Sequence, residues 1–340
     1  MKRFQKLVSG VIAICVAACA ARFDEPPTTN VGAPVVAAPA GSLQGMRDRG
    51  SIVFRGIPYA MAPTGDRRWR APEPMPAWEG TREAVMHGPA CTQPAKQPGL
   101  YFTDPPEMSE DCLLLDVTAP ANAENAPVMV WIHGGTLIWG TSQTDRYTGQ
   151  AFADRGVVLV SINYRLGALG FMAHPELSSE SPEGVSGNYG LLDQIAALEW
   201  IQQNISAFGG DPDNVTIFGE SAGALSVEHL LSSPRAHGLY HRAIVQSGYL
   251  YTMPELRTAN HGLPAAEDVG VYLTEKLGAN DIAGLRSMDG QAVVDRTAAE
   301  GYMPSGIVDG KILVGQLIET FDAGQQAKVP LMAGFTGGEI

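Results

Sequence analysis

The sequence predicts an α/β protein in which helices flank a mostly parallel central sheet. Several short apolar runs lack the alternation of a half-exposed strand, which is typical of parallel strands covered on both faces. These runs are 128–132, 157–162, 215–218, 243–246 and 329–333. Between the second and third runs lies a segment with apolar residues on one helical face, namely Leu191, Ile195, Leu198 and Ile205. It ends near Asn204, before Gly209 and Gly210.

The composition supports a globular protein and argues against some functions. The chain has 340 residues, 45% of them apolar, which is ample for the core of one large domain or two ordinary ones. Its formal net charge is −13, and we find no basic stripe that could neutralise phosphates. We therefore expect no nucleic-acid partner.

The first residues resemble an export signal. A basic start at residues 1–3 precedes an apolar run at 7–18 that is too short to span a bilayer. We therefore predict a signal peptide over residues 1–20. The segment ending in Cys19 is similar to the lipobox of bacterial lipoproteins, which predicts a lipid anchor on that cysteine and a location in the periplasm or cell envelope. The alternative is plain secretion after cleavage at Ala20.

A flexible tether is predicted to follow the signal. Residues 21–41 are rich in Pro, Ala and Thr and show no periodicity. We place the folded domain at residues 42–340, and any contact with the membrane would come only from the N-terminal lipid.

The strongest functional pattern follows the third apolar run. Gly219-Glu220-Ser221-Ala222-Gly223 lies between that run and a helix-compatible segment, which predicts a sharp strand–turn–helix with Ser221 on the turn. The glycines allow close backbone approach, and the N–H groups of the helix start favour negative charge there. The pattern suits a catalytic serine, and an ordinary strand–helix turn is the alternative.

Several other segments place this pattern in a family context. In chain order they are 54–60 (FRGIPYA), 110–113 (EDCL), 131–135 (WIHGG), 163–171 (NYRLGALGF), 187–194 (GNYGLLDQ) and 208–212 (FGGDP). Together with the serine turn, they resemble the type-B carboxylesterases of the α/β-hydrolase fold, a family that includes the cholinesterases. The resemblance runs from about Gly45 to the last residue.

The resemblance implies a serine carboxylic ester hydrolase that works through an acyl-enzyme on small-molecule esters. Ser221 matches the nucleophile and Glu339 the catalytic acid. The backbone N–H groups of Gly135, Thr136 and Ala222 match the oxyanion hole, although the family usually has a smaller residue at Thr136. This chemistry calls for no metal ion and no cofactor.

The expected catalytic histidine is missing. In this fold the chain order is serine, acid, histidine, and only Ile340 follows Glu339. All seven histidines precede the acid: His87, His133, His174, His229, His237, His241 and His261. We therefore expect the histidine downstream of residue 340, and a chain that is a C-terminally truncated, nearly inactive form of a longer enzyme.

The resemblance also implies structural roles for other residues. Cys91 and Cys112 would form a disulfide, as the family closes this loop and exported proteins permit it. Two buried ion pairs are expected, Arg68 with Glu110 and Arg165 with Asp193, and Glu220 has no expected role in proton transfer. Phe102 stands where cholinesterases have a tryptophan, which argues against choline esters.

Two rival functions remain open from the sequence. One is a catalytically inactive protein, either a truncated fragment or a cholinesterase-like binding module, although such modules typically lose the serine that this chain keeps. The other is an acyltransferase or amidase on the same fold. Release of free acid against transfer to an added alcohol discriminates between hydrolase and transferase.

Overall fold

The fold is described from a computed structural model that covers residues 32–95, 107–143 and 148–339. The described residues from 33 to 339 belong to one compact unit. The predicted signal peptide, Cys19 and Phe102 lie outside the described residues, so their assignments stay predictions. None of the helices in the described ranges is both long enough and apolar enough to cross a membrane.

Thirteen strands are found in the described ranges, and eight of them form one large mixed sheet. Their bounds are β1 Val35–Ala38, β2 Gly41–Gln44, β3 Met46–Asp48, β4 Ser51–Pro58, β5 Thr81–Glu83, β6 Ala90–Cys91, β7 Met108–Ser109, β8 Leu114–Pro120, β9 Ala126–Ile132, β10 Val158–Ile162, β11 Gly210–Glu220, β12 Arg242–Gln246 and β13 Leu331–Gly334. The order of the large sheet is β13-β12-β11-β9-β10-β8-β4-β3.

The five predicted apolar runs form the parallel half of this sheet. β9, β10, β11, β12 and β13 pair only in parallel with one another, which confirms the predicted architecture. Strands β8, β4 and β3 complete the sheet with antiparallel pairing. Because the carboxyl ends of parallel strands share one edge, the loops that follow β9, β11, β12 and β13 gather there.

Nine helices are found in the described part of the chain. They are α1 Gln150–Ala153, α2 Gly167–Phe171, α3 Pro175–Glu180, α4 Tyr189–Asn204, α5 Ala222–Ser232, α6 Ala266–Leu277, α7 Ile282–Ser287, α8 Gly290–Ala299 and α9 Leu317–Asp322. The longest, α4, ends at Asn204 as predicted. All eleven residues of α5 are buried, so this helix lies inside the molecule rather than on its surface.

Ordered structure begins earlier than the sequence predicts. β1 and β2 form an antiparallel hairpin in which Val36 lies opposite Leu43, and β2 pairs with β5. Residues 35–38 fall within the predicted tether, whose composition gives no strand signal. The strand forms because β2, buried at Leu43, offers it a pairing edge.

The predicted covalent and ionic links of the scaffold are present. Cys91 and Cys112 are joined by a disulfide, with Cα atoms 4.9 Å apart. Arg165 binds the carboxylate of Asp193 through two nitrogens, at 2.8 and 2.7 Å, and this carboxylate also accepts from the Arg165 backbone N–H. The pair fixes the segment before α2 to α4.

The second ion pair joins Arg68 to Glu110, and Arg68 also bonds backbone carbonyls at the end of α7. Arg68 donates to both carboxylate oxygens of Glu110, at 2.7 and 2.5 Å, and also to the carbonyl oxygen of Met288 at 2.8 Å. The Arg68 side chain is 6% exposed, so its charge is compensated by fixed partners rather than by water.

The strand β13 differs in burial from the other parallel strands of the large sheet. All four of its residues are exposed, and it forms an edge of the sheet, with β12 as its neighbour. Leu331 is 47% exposed and Met332 67%. The strand nevertheless stays in parallel register, with Gln246 opposite Gly334.

Candidate active site

Ser221 lies on a strained turn between β11 and α5. Its backbone has φ 55° and ψ −121°, a conformation that costs free energy in a residue with a Cβ. Two hydrogen bonds hold it there: the Ser221 N–H donates to the carbonyl oxygen of Gln246 at 2.9 Å, and the Ser221 carbonyl accepts from Leu225 at 2.9 Å. The predicted strand–turn–helix is therefore present, with the serine at its sharpest point.

The glycines around Ser221 are required by close backbone contacts. A Cβ on Gly223 would lie 2.1 Å from the carbonyl oxygen of Ile132 at the end of β9. A Cβ on Gly219 would lie 2.4 Å from the carbonyl carbon of Gly223. Only glycine lets the start of α5 approach β9 this closely.

The loop after β9 lies directly against the serine. A Cβ on Gly134 would be 3.4 Å from the Cβ of Ser221. The next three residues, Gly135, Thr136 and Leu137, all have positive φ, at 107°, 57° and 59°. The Gly135 carbonyl accepts from the Trp139 N–H at 2.9 Å and from Thr136 Oγ1 at 2.7 Å, so this carbonyl is turned into its own loop.

Three backbone N–H groups are available around Ser221. Those of Gly135 and Thr136 donate to no other residue in the described ranges. Ala222 is the first residue of α5, where an N–H has no acceptor within the helix. The Thr136 side chain does not consume a donor, because its hydroxyl bonds the Gly135 carbonyl.

Glu339 is held by a serine that the sequence analysis did not identify. The Ser247 hydroxyl lies 2.8 Å from both carboxylate oxygens of Glu339, and the Thr336 N–H donates to one of them at 3.0 Å. The Ser247 hydrogen bond, and then that of Thr336, lower the pKa of Glu339 below its usual value. The Ser247 N–H also donates to the Gly334 carbonyl at 2.7 Å, which ties β12 to the turn carrying the acid.

Strand register brings these residues to one edge of the sheet. Gly219 lies opposite Ile132, and Glu220 opposite Gln246. Ser221 and Ser247 are the first residues after β11 and β12, and Gly134 is the second residue after β9. Ser247 could have been singled out from the sequence because it directly follows the apolar run of β12, just as Ser221 directly follows that of β11.

The pKa of Glu220 is affected by the charge of Glu339. Partial burial raises the pKa of Glu220, and the negative charge of Glu339 raises it further. Glu220 is the residue directly before Ser221 in the chain.

His133 supports the loop after β9 rather than the serine. Its ring stacks on Tyr164 with centroids 4.5 Å apart, and Nδ1 lies 2.9 Å from the Gly134 carbonyl oxygen. Burial lowers the pKa of His133 to about 4, so its side chain is neutral at physiological pH.

No histidine is within hydrogen-bonding distance of Ser221 or Glu339 in the described ranges, which contain all seven. His87 pairs with Asp116 at 2.7 Å, and His174 caps α3. His229 is fully buried next to Tyr251, and burial lowers its pKa to about 4. His237 and His241 contact backbone groups, and His261 lies in an exposed turn.

The arrangement defines a class of protein. A serine on a strand–helix elbow, unpaired N–H groups beside it and a carboxylate on the loop after a later parallel strand are the elements of a serine hydrolase of the α/β-hydrolase fold. Within the described ranges no group of three or more His, Cys, Asp or Glu side chains is arranged to hold a metal ion.

Comparison with known proteins identifies the family. The model of the carboxylesterase family matches residues 32–340, and the chain therefore belongs to this family. The para-nitrobenzyl esterase of Bacillus subtilis (strain 168) is 39% identical over 312 residues, which cover 90% of this chain and 63% of that protein. The fumonisin B1 esterase of Sphingopyxis macrogoltabida is 40% identical over 313 residues, covering 88% and 55%.

Solved structures show the same fold. A carboxylesterase from Geobacillus stearothermophilus superposes with a TM-score of 0.79 at 40% identity, over 89% of this chain and 61% of that one. A PNB esterase superposes with a TM-score of 0.80 at 37% identity, over 90% and 63%. The chain thus spans less than two thirds of the length of each of these relatives.

Proposed function

We propose that the protein is a serine carboxylic ester hydrolase for small-molecule esters. The observation that supports the proposal is the close approach of the Gly134 loop to the Ser221 turn. The N–H groups of Gly135 and Thr136, which follow in that loop, donate to no other residue in the described ranges. The named esterases among the relatives support it. In this proposal Ser221 is the nucleophile, and Glu339 orients the base.

The first half-reaction forms an acyl-enzyme. Ser221 Oγ attacks the ester carbonyl carbon while a base takes its proton, and the carbonyl oxygen becomes an oxyanion. The N–H groups of Gly135, Thr136 and Ala222 donate to that oxyanion, and each such donor is worth roughly 10²–10³ in turnover. The C–O bond to the alcohol then breaks, and the base returns the proton to the leaving alcohol.

The second half-reaction releases the acid. Water loses a proton to the same base and attacks the acyl carbon, the same three N–H groups stabilise the second oxyanion, and the bond to Ser221 Oγ breaks. The hydroxyl of Ser221 is regenerated when the base returns the proton. Ser247 holds Glu339 ionised and in place during both steps.

We propose that none of the seven histidines in residues 1–340 is the base. None of the seven histidines bonds Ser221 or Glu339, and the two most buried ones, His133 and His229, are fixed in the interior. The 340-residue polypeptide should accordingly be nearly inactive, because loss of the base costs on the order of 10⁶ in turnover.

The test compares this chain with its full-length form on a short-chain aryl ester, with an organophosphate probe followed by peptide mass spectrometry. Ser221→Ala in the full-length form should lose about 10⁶-fold in turnover and lose labelling. The control Ser287→Ala, on the exposed end of α7, should retain both. Labelling at another serine, or equal turnover of the two forms, would contradict the proposed site.

The same assay resolves the rival functions. Adding an alcohol as acyl acceptor separates hydrolysis, which releases free acid, from acyl transfer, which yields a new ester. A full-length protein that binds esters but turns none over would be a binding module instead.

We also propose that the protein is exported and anchored by lipid on Cys19. The proposal rests on the basic start, the short apolar run and the lipobox-like residues before Cys19. Cys19→Ser should move the protein from the membrane fraction to the soluble one. An N-terminus at Ala21 in the mature protein would instead indicate plain secretion.

A further inference from the structure

A cavity lies between α6, the end of α2 and the loop after α8. Its volume is 590 Å³, within the range of small-molecule sites. Its walls are mainly apolar and include Phe171, Leu273, Met303 and Ile307. None of the proposed catalytic residues lines it.

Three tyrosines give the cavity an aromatic character. The Tyr302 hydroxyl donates to the Phe171 carbonyl at 2.8 Å, and the Tyr251 hydroxyl to Ser305 Oγ at 2.9 Å. Because both hydroxyls are already engaged in the wall, what these residues offer to a ligand is chiefly the ring. The third, Tyr272, is 48% exposed on α6.

The charged groups of the cavity all have one sign. Asp268 and Glu300 line it and are both exposed, and no Lys, Arg or His is found among its described lining residues. Tyr272 lies one helical turn after Asp268, and its hydroxyl is 3.4 Å from Glu300 Oε2. A ligand anion would therefore meet two carboxylates without a cation to offset them.

The Tyr272 ring already forms a cation–π contact with Lys276. The Lys276 ammonium, which does not line the cavity, lies 5.2 Å from the centroid of the Tyr272 ring. Aromatic rings attract cations through their quadrupole, and nearby carboxylates add to that attraction. Lys276 reduces the local negative charge without reversing it, because two carboxylates face the cavity.

We propose that this cavity binds organic cations with an apolar body, such as aryl-alkyl ammonium compounds. The apolar body packs against the wall of Phe171, Leu273 and Ile307, and the ammonium group lies near Tyr272, Asp268 and Glu300. The site is separate from the proposed ester hydrolysis and needs no turnover at Ser221.

Calorimetric titration of the protein with three matched probes tests this proposal. The probes are 4-phenylbutyltrimethylammonium, 4-phenylbutanol and 4-phenylbutyrate, which share one body and differ in charge. We expect the cation to bind most tightly, the alcohol more weakly and the carboxylate most weakly. Added salt should weaken binding of the cation and leave binding of the alcohol unchanged, because only the cation is attracted by the carboxylate charges.

Variants locate the binding. The double change Asp268→Asn and Glu300→Gln should lower the affinity for the cation roughly tenfold and leave the affinity for the alcohol unchanged. The matched control Glu199→Gln removes an exposed carboxylate on α4, outside the cavity, and should change nothing. Tyr272→Leu should lower the affinity for the cation roughly threefold, because the aromatic ring of Tyr272 is lost.

Equal binding of the three probes, preference for the carboxylate, absence of binding, or an unchanged affinity in the double variant would each overturn the proposal. Unfolding temperatures of the variants identify any that fail to fold, and the Tyr272 variant then decides. Ester hydrolysis by the full-length form is measured separately, so failure of either proposal leaves the other standing.

Discussion

Ser247 shows how one hydroxyl can set the state of a candidate catalytic acid. It donates to Glu339, lies 92 residues before it, and also bonds the Gly334 carbonyl through its backbone N–H. The hydroxyl carries one proton, so it serves one carboxylate oxygen at a time, and the other oxygen remains open to a further donor.

We predict that Ser247→Ala raises the pKa of Glu339 toward its usual value. The hydrogen bond to Ser247 is the largest cause of the lowered pKa, and its removal favours the protonated form. A pKa lowered by folding stabilises the protein above the usual pKa of glutamate, and that stabilisation fades as pH falls. NMR titration of carbon-13-labelled glutamate measures the shift, and Ser287→Ala should leave it unchanged.

We predict that Gly223→Ala destabilises the protein by roughly 2–4 kcal/mol, because its Cβ would lie 2.1 Å from the Ile132 carbonyl oxygen. The control is Gly315→Ala, where the nearest atom would be 3.7 Å away and φ is not positive. That change should be neutral or mildly stabilising. Equal unfolding free energies for the two variants, measured with urea, would show that α5 can move away from β9.

Site residues that are defined by their sequence neighbours were predictable, whereas one that depends on a residue distant in sequence was not. The Ser221 turn was predictable because strand, glycines and helix start are adjacent in sequence. The Thr136 loop was predictable through its resemblance to a family, although the positive φ of Thr136 has no local signal. Ser247 was missed because its contact is with Glu339, which follows another strand and lies 92 residues later in the chain.

At the scale of elements, helix α4 is fixed by a buried charge rather than by packing alone. Its Asp193 is fully buried and receives three hydrogen bonds from Arg165, the residue before the turn into α2. The pair therefore sets the position of two helices relative to the strand β10 that precedes them.

We predict that Asp193→Ala costs about 3–5 kcal/mol, because it leaves a buried guanidinium without its partner. Replacing both residues, Arg165→Met with Asp193→Leu, should cost clearly less than the single change. The exposed pair of Arg235 and Glu183 is the control, and Glu183→Ala should cost at most about 1 kcal/mol. If the double variant is as unstable as Asp193→Ala, desolvation of the charge is not the cause.

The elements themselves were largely predictable. Five parallel strands and α4 have strong apolar patterns that decide their structure locally. β1 was missed because a short segment of Val and Ala next to prolines becomes a strand only through its pairing with β2.

At the scale of the whole molecule, the edge formed by β13 is the most exposed apolar surface of the sheet. Leu331, Met332 and Phe335 are 47%, 67% and 60% exposed. No other strand in the described ranges pairs with its free side. An unpaired strand with apolar side chains on it favours association between chains.

We predict that the 340-residue chain self-associates as its concentration rises, and that Met332→Lys reduces this. A lysine on the edge strand opposes pairing with a second copy by charge repulsion and solvation. Light scattering over a concentration series measures it. Met86→Lys is the control, because Met86 is 77% exposed and lies away from β13, and it should change scattering little. A wild-type chain that stays monomeric throughout would contradict the prediction.

The strand register at the site also has a consequence for how the protein refolds. Gly134, Ser221, Ser247 and Glu339 follow four different strands, so their arrangement requires contacts between distant parts of the chain. Such non-local contacts form slowly, after local helices have appeared. Chemical labelling of the serine in the full-length form should therefore recover late in refolding, well after the helical signal, and would serve as a kinetic reporter of completed sheet assembly.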